Sequence, residues 1–189
     1  MATKPKRGQR ATPNDTQERD CFQTPNYATD IVVARLPGSV QSCHIWEPCC
    51  GEGKIVDRLK HYGYKVLGTD IRINSEHNCL VFSPSEDYDC IVTNPPFSLK
   101  SKMVKRFIEL NKPFAILVPG DWSGWLIGAI REYQCQLLMP TRRINYITPT
   151  GKQGKESAAQ FHSVWLTRYF NLPQTITFIE LGKEMMLNI

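Results

Sequence analysis

The segment at residues 88–97, YDCIVTNPPF, carries the side chains of this chain best suited to hold a planar group. Its apolar, β-branched centre predicts a buried strand. Pro95 and Pro96 end that strand, because proline donates no ladder hydrogen bond and does not continue as helix. The chain must turn there, which places the Asn94 amide, a backbone carbonyl and the flat Phe97 ring at one point. The alternative is an ordinary strand-to-loop turn.

The chemistry that such a turn suits is the activation of an aromatic amine. This amine is a poor nucleophile because its lone pair is delocalised into the ring. If the Asn94 side-chain oxygen and the Pro95 carbonyl oxygen accept its two N–H bonds, the nitrogen becomes more tetrahedral and can attack an activated methyl group. Positioning and electrostatics would supply most of the rate. Phe97 would stack on the ring, and a nucleobase would have to leave its duplex to reach this pocket.

The tetrapeptide resembles the Asn-Pro-Pro-Phe motif of S-adenosylmethionine-dependent amino methyltransferases, above all the DNA adenine-N6 enzymes. The resemblance implies S-adenosylmethionine as the cofactor. It also implies that Asn94, Pro95, Pro96 and Phe97 are the catalytic residues, with Phe97 in contact with the target base.

A second motif follows the strand predicted around residues 44–47, where residues 47–53 read EPCCGEG and lead into a predicted helix. Glycines in a loop that opens a helix let the backbone approach a ligand closely. A structural β–α turn would need only one of them. The loop resembles the first motif of the methyltransferases, in which the acid lies near the methionine amino group. The predicted cofactor-binding residues of this loop are Glu47, Pro48, Cys49, Gly51 and Gly53.

Asp70 ends the next predicted strand, close to the expected interval of about 20 residues after the glycine loop. Its carboxylate can accept both ribose hydroxyls of a nucleoside cofactor, and Ile71 can pack on the adenine. The alternative role for this Asp is a turn or N-cap residue. The resembling families commonly place an Asp further along the chain to read the adenine amine of the cofactor. Asn78 stands there instead, and its amide oxygen can accept the same bond.

The first predicted helix has Thr24 as its N-cap and Pro25 at its first position, and it ends before Pro37 and Gly38. In the resembling families, an aromatic-x-Thr-Pro sequence just before a helix lines the methionine end of the cofactor. Phe22 and Thr24 stand at those positions and are therefore predicted to bind the cofactor.

The remaining pattern alternates strands and helices, which predicts a mostly parallel sheet covered by helices on both faces. A helix capped by Asp121 carries Trp122 and Trp125, which we interpret as packing anchors rather than base platforms. Residues 136–139 and 161–167 predict an antiparallel hairpin at the sheet edge. The expected fold is α/β: a three-layer, Rossmann-like class I methyltransferase fold with a C-terminal antiparallel hairpin.

A basic loop rich in hydrogen-bonding side chains lies between these two strands. Arg142, Arg143, Lys152 and Lys155 could contact phosphates. The resemblance places Tyr146 beside the target base. We therefore predict these residues, together with Phe97, to bind the substrate. The alternative is a solvated hairpin loop.

Composition places few limits on the partner. The 189-residue chain has a net charge of +5, which permits a polyanion without requiring one. Residues 1–20 are polar and basic and predict a disordered tail, either a nucleic-acid arm or a solubilising tail; residues 21–189 predict a single methyltransferase domain. No apolar run approaches membrane-spanning length, and no secretory signal opens the chain. We therefore expect an intracellular, cytoplasmic protein with no membrane partner.

The seven cysteines are an odd number and contain no C-x-x-C pair. We expect reduced thiols that pack in the interior rather than a zinc site. The predicted sites therefore include no metal.

The motifs cover most of residues 22–166 and follow the gamma arrangement of the DNA amino methyltransferases. The resemblance implies methyl transfer from S-adenosylmethionine to the N6 amine of adenine in DNA. Structured RNA is the first alternative; a protein glutamine is a weaker one, because those relatives usually have Tyr where Phe97 stands. A catalytically silent cofactor- or nucleic-acid-binding subunit is an alternative of another class. Little chain remains for target recognition, so we expect low sequence specificity, a preference for unpaired strands or a protein partner that supplies specificity.

Overall fold

The computed structural model describes residues 22–37, 43–148, 151 and 161–182. The predicted tail at residues 1–20, and Lys152 and Lys155 of the basic loop, lie outside the described residues. Within these ranges the helices are α1 (Asn26–Val33), α2 (Lys54–His61), α3 (Lys100–Leu110) and α4 (Gly124–Tyr133). The strands are β1 (His44–Glu47), β2 (Lys65–Gly68), β3 (Cys90–Thr93), β4 (Phe114–Pro119), β5 (Gln136–Pro140), β6 (Ser163–Arg168) and β7 (Ile176–Ile179).

The strands form a seven-stranded sheet in the order β2-β1-β3-β4-β6-β5-β7. The pairs β1–β2, β1–β3, β3–β4 and β5–β7 are parallel, whereas β6 runs antiparallel to both β4 and β5. A mostly parallel sheet in which β6 is the reversed strand confirms the predicted α/β, Rossmann-like fold, and the antiparallel pairing of β5 with β6 confirms the predicted C-terminal antiparallel pair.

Helices cover both faces of the sheet. Consecutive residues of a strand point to opposite faces, so neighbouring residues pack against different helices. Ile45 of β1 packs with the buried residues of α1 and α2, whereas its neighbour Trp46 packs with those of α3 and α4. Val92 and Ile91 of β3 divide between the two clusters in the same way. The architecture is therefore three-layered. None of the helices within the described ranges is long and apolar enough to cross a bilayer.

Two helix starts differ from the prediction. The first helix begins at Asn26, with Pro25 as its N-cap residue and no side-chain cap, while Thr24 is buried instead. The helix predicted after Asp121 begins two residues later than Trp122, with Ser123 as its N-cap residue. Trp122 has a φ of 50° and is 47% exposed. The prediction that it packs in the core is therefore wrong.

The predicted edge hairpin is also wrong in its position. β6 lies between β4 and β5, and its residues from Ser163 to Thr167 are buried. The edge is formed instead by β7, a short strand that the sequence analysis missed. Its residues are half-buried or exposed, so it lacks the apolar run by which the interior strands were found.

Trp165 of β6 provides a test of how α1 is held on the sheet. The side chain is fully buried, and its indole N–H donates to the Ala28 carbonyl of α1 at 2.9 Å. Replacing Trp165 with Phe removes this bond and leaves a cavity, so we expect a loss of about 2–4 kcal/mol in the free energy of unfolding, measured in urea. The matched control is Trp122→Phe at an exposed position, which should change stability by less than about 0.5 kcal/mol. Equal effects of the two substitutions would contradict this account.

Candidate functional site

The carboxyl ends of β1, β2 and β3 meet at one edge of the sheet, because these neighbouring strands run parallel. Glu47 ends β1, Asp70 follows β2 by two residues and Asn94 follows β3 directly. β2 lies on one side of β1 in the sheet, and the later strand β3 lies on the other side. The direction in which the sheet is built therefore reverses at β1. In open α/β sheets, ligands bind in the crevice outside such a reversal.

A cleft opens at this edge, with about 320 Å³ of empty space including the solvent at its mouth. Half of the residues lining the cleft are predicted site residues: Phe22, Thr24, Cys49, Gly51 and Asn94. The other half were not predicted: Gln23, Cys50, Lys54, Ile55 and Arg72.

The glycine loop forms one wall of the cleft. Gly51 has a φ of 53°, and a Cβ there would lie 3.0 Å from Arg72 Nη2. Its N–H donates to Asp70 Oδ2 at 2.9 Å, which joins the loop after β1 to the end of β2. Gly53, with a φ of 85°, is the N-cap residue of α2. Both glycines therefore adopt a left-handed backbone conformation that favours glycine, and a side chain at Gly51 would also displace the end of the Arg72 side chain.

Asp70 is buried and holds three neighbouring groups. Besides the Gly51 N–H, its carboxylate accepts the backbone N–H of Arg72 at 2.8 Å and the Arg72 Nε at 3.2 Å. Burial raises the pKa of Asp70, but the hydrogen bonds from Arg72 and Gly51 outweigh it, so the pKa lies below its ordinary value. Asp70 therefore carries a full negative charge at the cleft, paired with a half-exposed guanidinium.

Glu47 is fully buried at the end of β1. Its Oε1 accepts the Thr93 hydroxyl at 2.5 Å and the Cys49 N–H at 3.2 Å. Its Oε2 has no hydrogen-bond partner among the described residues. Burial raises the pKa of Glu47 to about 8, although its bonds to Thr93 and Cys49 act in the opposite direction.

Asn94 is half-buried and lines the cleft, and its side-chain oxygen is also buried without a partner in the described part of the chain. The following Pro95 is buried and Pro96 is half-buried. The amide predicted to face a substrate amine thus does lie at the cleft. It has an acceptor that nothing else in the described structure uses.

Aromatic rings lie next to this turn. The Phe97 ring meets Tyr146 edge-on at a centroid distance of 6.3 Å and Phe161 at 5.2 Å. Tyr146 is buried and donates its hydroxyl to Ser163 at 2.8 Å; burial raises the pKa of this phenol. The structure therefore brings Tyr146 beside Phe97; its contact with a target base stays a prediction. It also adds the more exposed Phe161, which the sequence analysis assigned only to a strand.

A backbone bridge holds the segment before α1 against the loop that carries Tyr146. The N–H of Gln23 donates to the Ile147 carbonyl at 2.9 Å, and the N–H of Ile147 donates back at 3.0 Å. Phe22 and Thr24 flank this bridge and therefore reach the cleft. Sequence periodicity does not reveal a pairing of single residues so far apart in the chain.

Other predicted residues lie away from the lining of the cleft. Ile71 is 52% exposed and directly follows Asp70. The amide oxygen of Asn78 accepts the Leu80 N–H at 3.1 Å, so it already serves a turn. Arg142 and Arg143 are exposed on the loop after β5. Their predicted roles stay predictions.

Lys54 and Arg72 are the cationic residues that sequence reasoning missed at the cleft. Lys54 is the first residue of α2, directly after the glycine loop. Arg72 lies two residues after the predicted ribose acid. Their nearness to two predicted motifs is a signal that could have identified them.

No protein-family model matches this chain, and no curated protein matches it in sequence. Among solved structures, the chain is similar to a predicted O-methyltransferase from Agrobacterium tumefaciens, with 12% identity, a TM-score of 0.38 and coverage of 79% of this chain and 84% of the other. It is also similar to a protein from Thermoplasma acidophilum to which a methyltransferase activity has been ascribed, with 14% identity, a TM-score of 0.34 and coverage of 83% and 68%.

Burial of Glu47 predicts a pH dependence of stability. Its pKa rises from an ordinary value of 4.5 to about 8 on folding, so the folded protein holds this proton more tightly. The stabilisation is complete below pH 4.5 and is lost as the pH rises towards 8, by an amount on the order of a few kcal/mol. We expect urea unfolding between pH 5 and 8 to show this decline, and Glu47→Gln to reduce it. Glu52 is exposed, so Glu52→Gln should leave the dependence of stability on pH as it is in the unchanged protein. If Glu47→Gln also left this dependence unaltered, Glu47 would not be the group responsible for it.

Proposed function

We propose that this protein is an S-adenosylmethionine-dependent methyltransferase that acts on the N6 amine of adenine in DNA. The observation that carries the proposal is the pair of unpartnered oxygens, Glu47 Oε2 and Asn94 Oδ1, at the ends of two adjacent strands. Glu47 accepts a hydrogen bond there once a cationic amine favours its ionised form. A buried polar atom without a partner costs about 1–3 kcal/mol. A cofactor amine and a substrate amine would supply the two missing donors.

Residues that line the cleft, together with Glu47, Asp70 and Ile71 at the ends of β1 and β2, suit the cofactor. Glu47 offers an acceptor for its amino group, Asp70 a carboxylate for its ribose hydroxyls, and Lys54 and Arg72 offer cations for its carboxylate. The exposed Ile71 offers an apolar surface for its adenine. When bound, the cofactor supplies an electrophilic methyl group on a sulfonium centre.

The Asn94 turn supplies what the substrate needs. The Asn94 side-chain oxygen and the Pro95 carbonyl accept the two N–H bonds of the exocyclic amine and return its lone pair to the nitrogen. The proline pair restricts the backbone, so this geometry is largely preorganised before the base arrives. Phe97 holds the base against the aromatic group that it forms with Tyr146 and Phe161.

A nucleic acid is favoured over a small molecule by the basic and aromatic surroundings of the turn. Arg142 and Arg143 are exposed on the loop that also carries Tyr146. Arginines there offer phosphate contacts, while exposed rings offer base stacking.

The decisive experiment supplies methyl-labelled cofactor with single-stranded DNA, duplex DNA, RNA and protein in parallel reactions. The polymers are then digested and the labelled product is identified. We expect label on N6-methyladenine from DNA. Label on adenine from RNA alone would replace DNA by RNA as the substrate, and label on glutamine would replace both. Cofactor binding with no label in any polymer would favour a silent subunit.

Two substitutions separate the roles of the strand ends. Asn94→Ala removes the acceptor for the substrate amine, so we expect the transfer rate to fall by about 10²–10³ while the cofactor Kd changes little. Asp70→Asn removes the charge at the ribose position, so cofactor affinity should fall first. Calorimetry measures the affinities, labelled transfer measures the rates, and thermal unfolding checks that both variants fold. A large loss of cofactor affinity in Asn94→Ala would show that this amide has been given the wrong role.

Phe161 should contribute to binding of the nucleic acid. Its ring is 36% exposed beside Phe97, and base stacking on an aromatic side chain is worth about 1–3 kcal/mol. We therefore expect Phe161→Ala to raise the KM for DNA by about 5- to 100-fold with little change in kcat. Phe178→Ala is the matched control, because this phenylalanine is more exposed but lies on β7 at the far edge of the sheet. Steady-state kinetics in which both variants behave alike would remove Phe161 from the substrate site.

A further inference from the structure

Two thiols meet beside the cleft. Cys49 of the glycine loop and Cys79, thirty residues later, have their Sγ atoms 3.9 Å apart. Cys49 is half-buried and lines the cleft, whereas Cys79 is buried among the residues packed on the α3 and α4 side of the sheet. The cleft therefore gives a small molecule access to the first thiol, and the second sulfur lies 3.9 Å beyond it.

The contact makes the two thiols unequal. The hydrogen bond with Cys49 lowers the pKa of the Cys79 thiol, although burial acts in the opposite direction. The same contact, together with burial, raises the pKa of Cys49. In such a pair the thiol that loses its proton more readily is oxidised, and the other thiol resolves it.

The glycine loop would transmit a change at Cys49 to the cleft. The next two residues are tied to the end of β2, since the Cys50 N–H donates to the Thr69 carbonyl at 3.0 Å and the Gly51 N–H to Asp70 at 2.9 Å. A disulfide requires a sulfur–sulfur distance of about 2.05 Å. Closing the present gap of 3.9 Å requires the two sulfurs to approach each other, and any movement of the Cys49 backbone is passed to the residues that these bonds hold.

We propose that Cys49 and Cys79 form a reversible disulfide and that this bond weakens cofactor binding; the second part rests on the proposed function. The oxidant is a hydroperoxide. The Cys79 thiolate attacks the terminal oxygen of the hydroperoxide, and the O–O bond breaks. Cys79 becomes a sulfenic acid, and the leaving oxygen takes up a proton; with hydrogen peroxide this product is one water. The Cys49 sulfur then attacks the Cys79 sulfur, which releases a second water. Two thiols are oxidised and one peroxide is reduced.

The experiment treats the full-length protein with hydrogen peroxide and analyses it by mass spectrometry. We expect the loss of two hydrogens and a peptide linked through Cys49 and Cys79, both reversed by dithiothreitol. Cys50→Ser is the matched control, because this neighbour also lines the cleft and should leave the link intact. Cys79→Ser should abolish it. Absence of the link in the folded protein, or a link through Cys50, would overturn the proposal.

Cofactor binding is then measured by calorimetry before and after oxidation. We expect S-adenosylmethionine affinity to fall by at least about tenfold, to recover on reduction, and to be insensitive to peroxide in Cys79→Ser. A linked protein with unchanged affinity would overturn the regulatory part. If the reduced protein bound no S-adenosylmethionine, both the proposed function and the regulatory part would be overturned. Formation of the Cys49–Cys79 disulfide is judged separately, by mass spectrometry alone.

Discussion

Parallel pairing of β1 with both β2 and β3 is the constraint on which the candidate site depends. β1, β2 and β3 are distant in the chain, and their carboxyl ends lie at one edge of the sheet only because the three strands run in the same direction. Helices on both faces bury the middle of the sheet, where every residue of β3 and β4 is buried, whereas the outer strand β2 is partly exposed. The polar side chains of the candidate site stand where β1, β2 and β3 end, at Glu47, Asp70 and Asn94.

The charges at this edge are balanced in different ways. Asp70 is ionised and paired, since Arg72 and the Gly51 N–H surround it. Glu47 is stabilised in its protonated form by burial, and one of its oxygens lacks a partner in the described structure. A cationic ligand near Glu47 would favour its ionised form, because an opposite charge offsets the cost of burial. Ligand binding at this end of the cleft is therefore expected to be coupled to a proton.

Several errors in the sequence analysis share one origin. β6 was placed at the sheet edge because its alternation was taken for a half-exposed hairpin, yet both of its faces are buried between β4 and β5. β7 was missed because an exposed four-residue strand has no apolar period. Trp122 was assigned to the core by residue type alone, while a positive φ turns it outwards. In each case the neighbours in space, and not the local pattern, decide the burial.

The sequence alone determined the succession of strands and helices up to β6, the two glycines of the loop after β1 and the order of the motifs, because apolar period, proline and glycine act locally. It also identified half of the residues that line the cleft. Only the tertiary structure decided that Arg72 pairs with Asp70, that Phe161 joins Phe97, and that two thiols thirty residues apart come into contact. These contacts depend on the angle and distance at which packed elements meet, and no local propensity encodes those quantities.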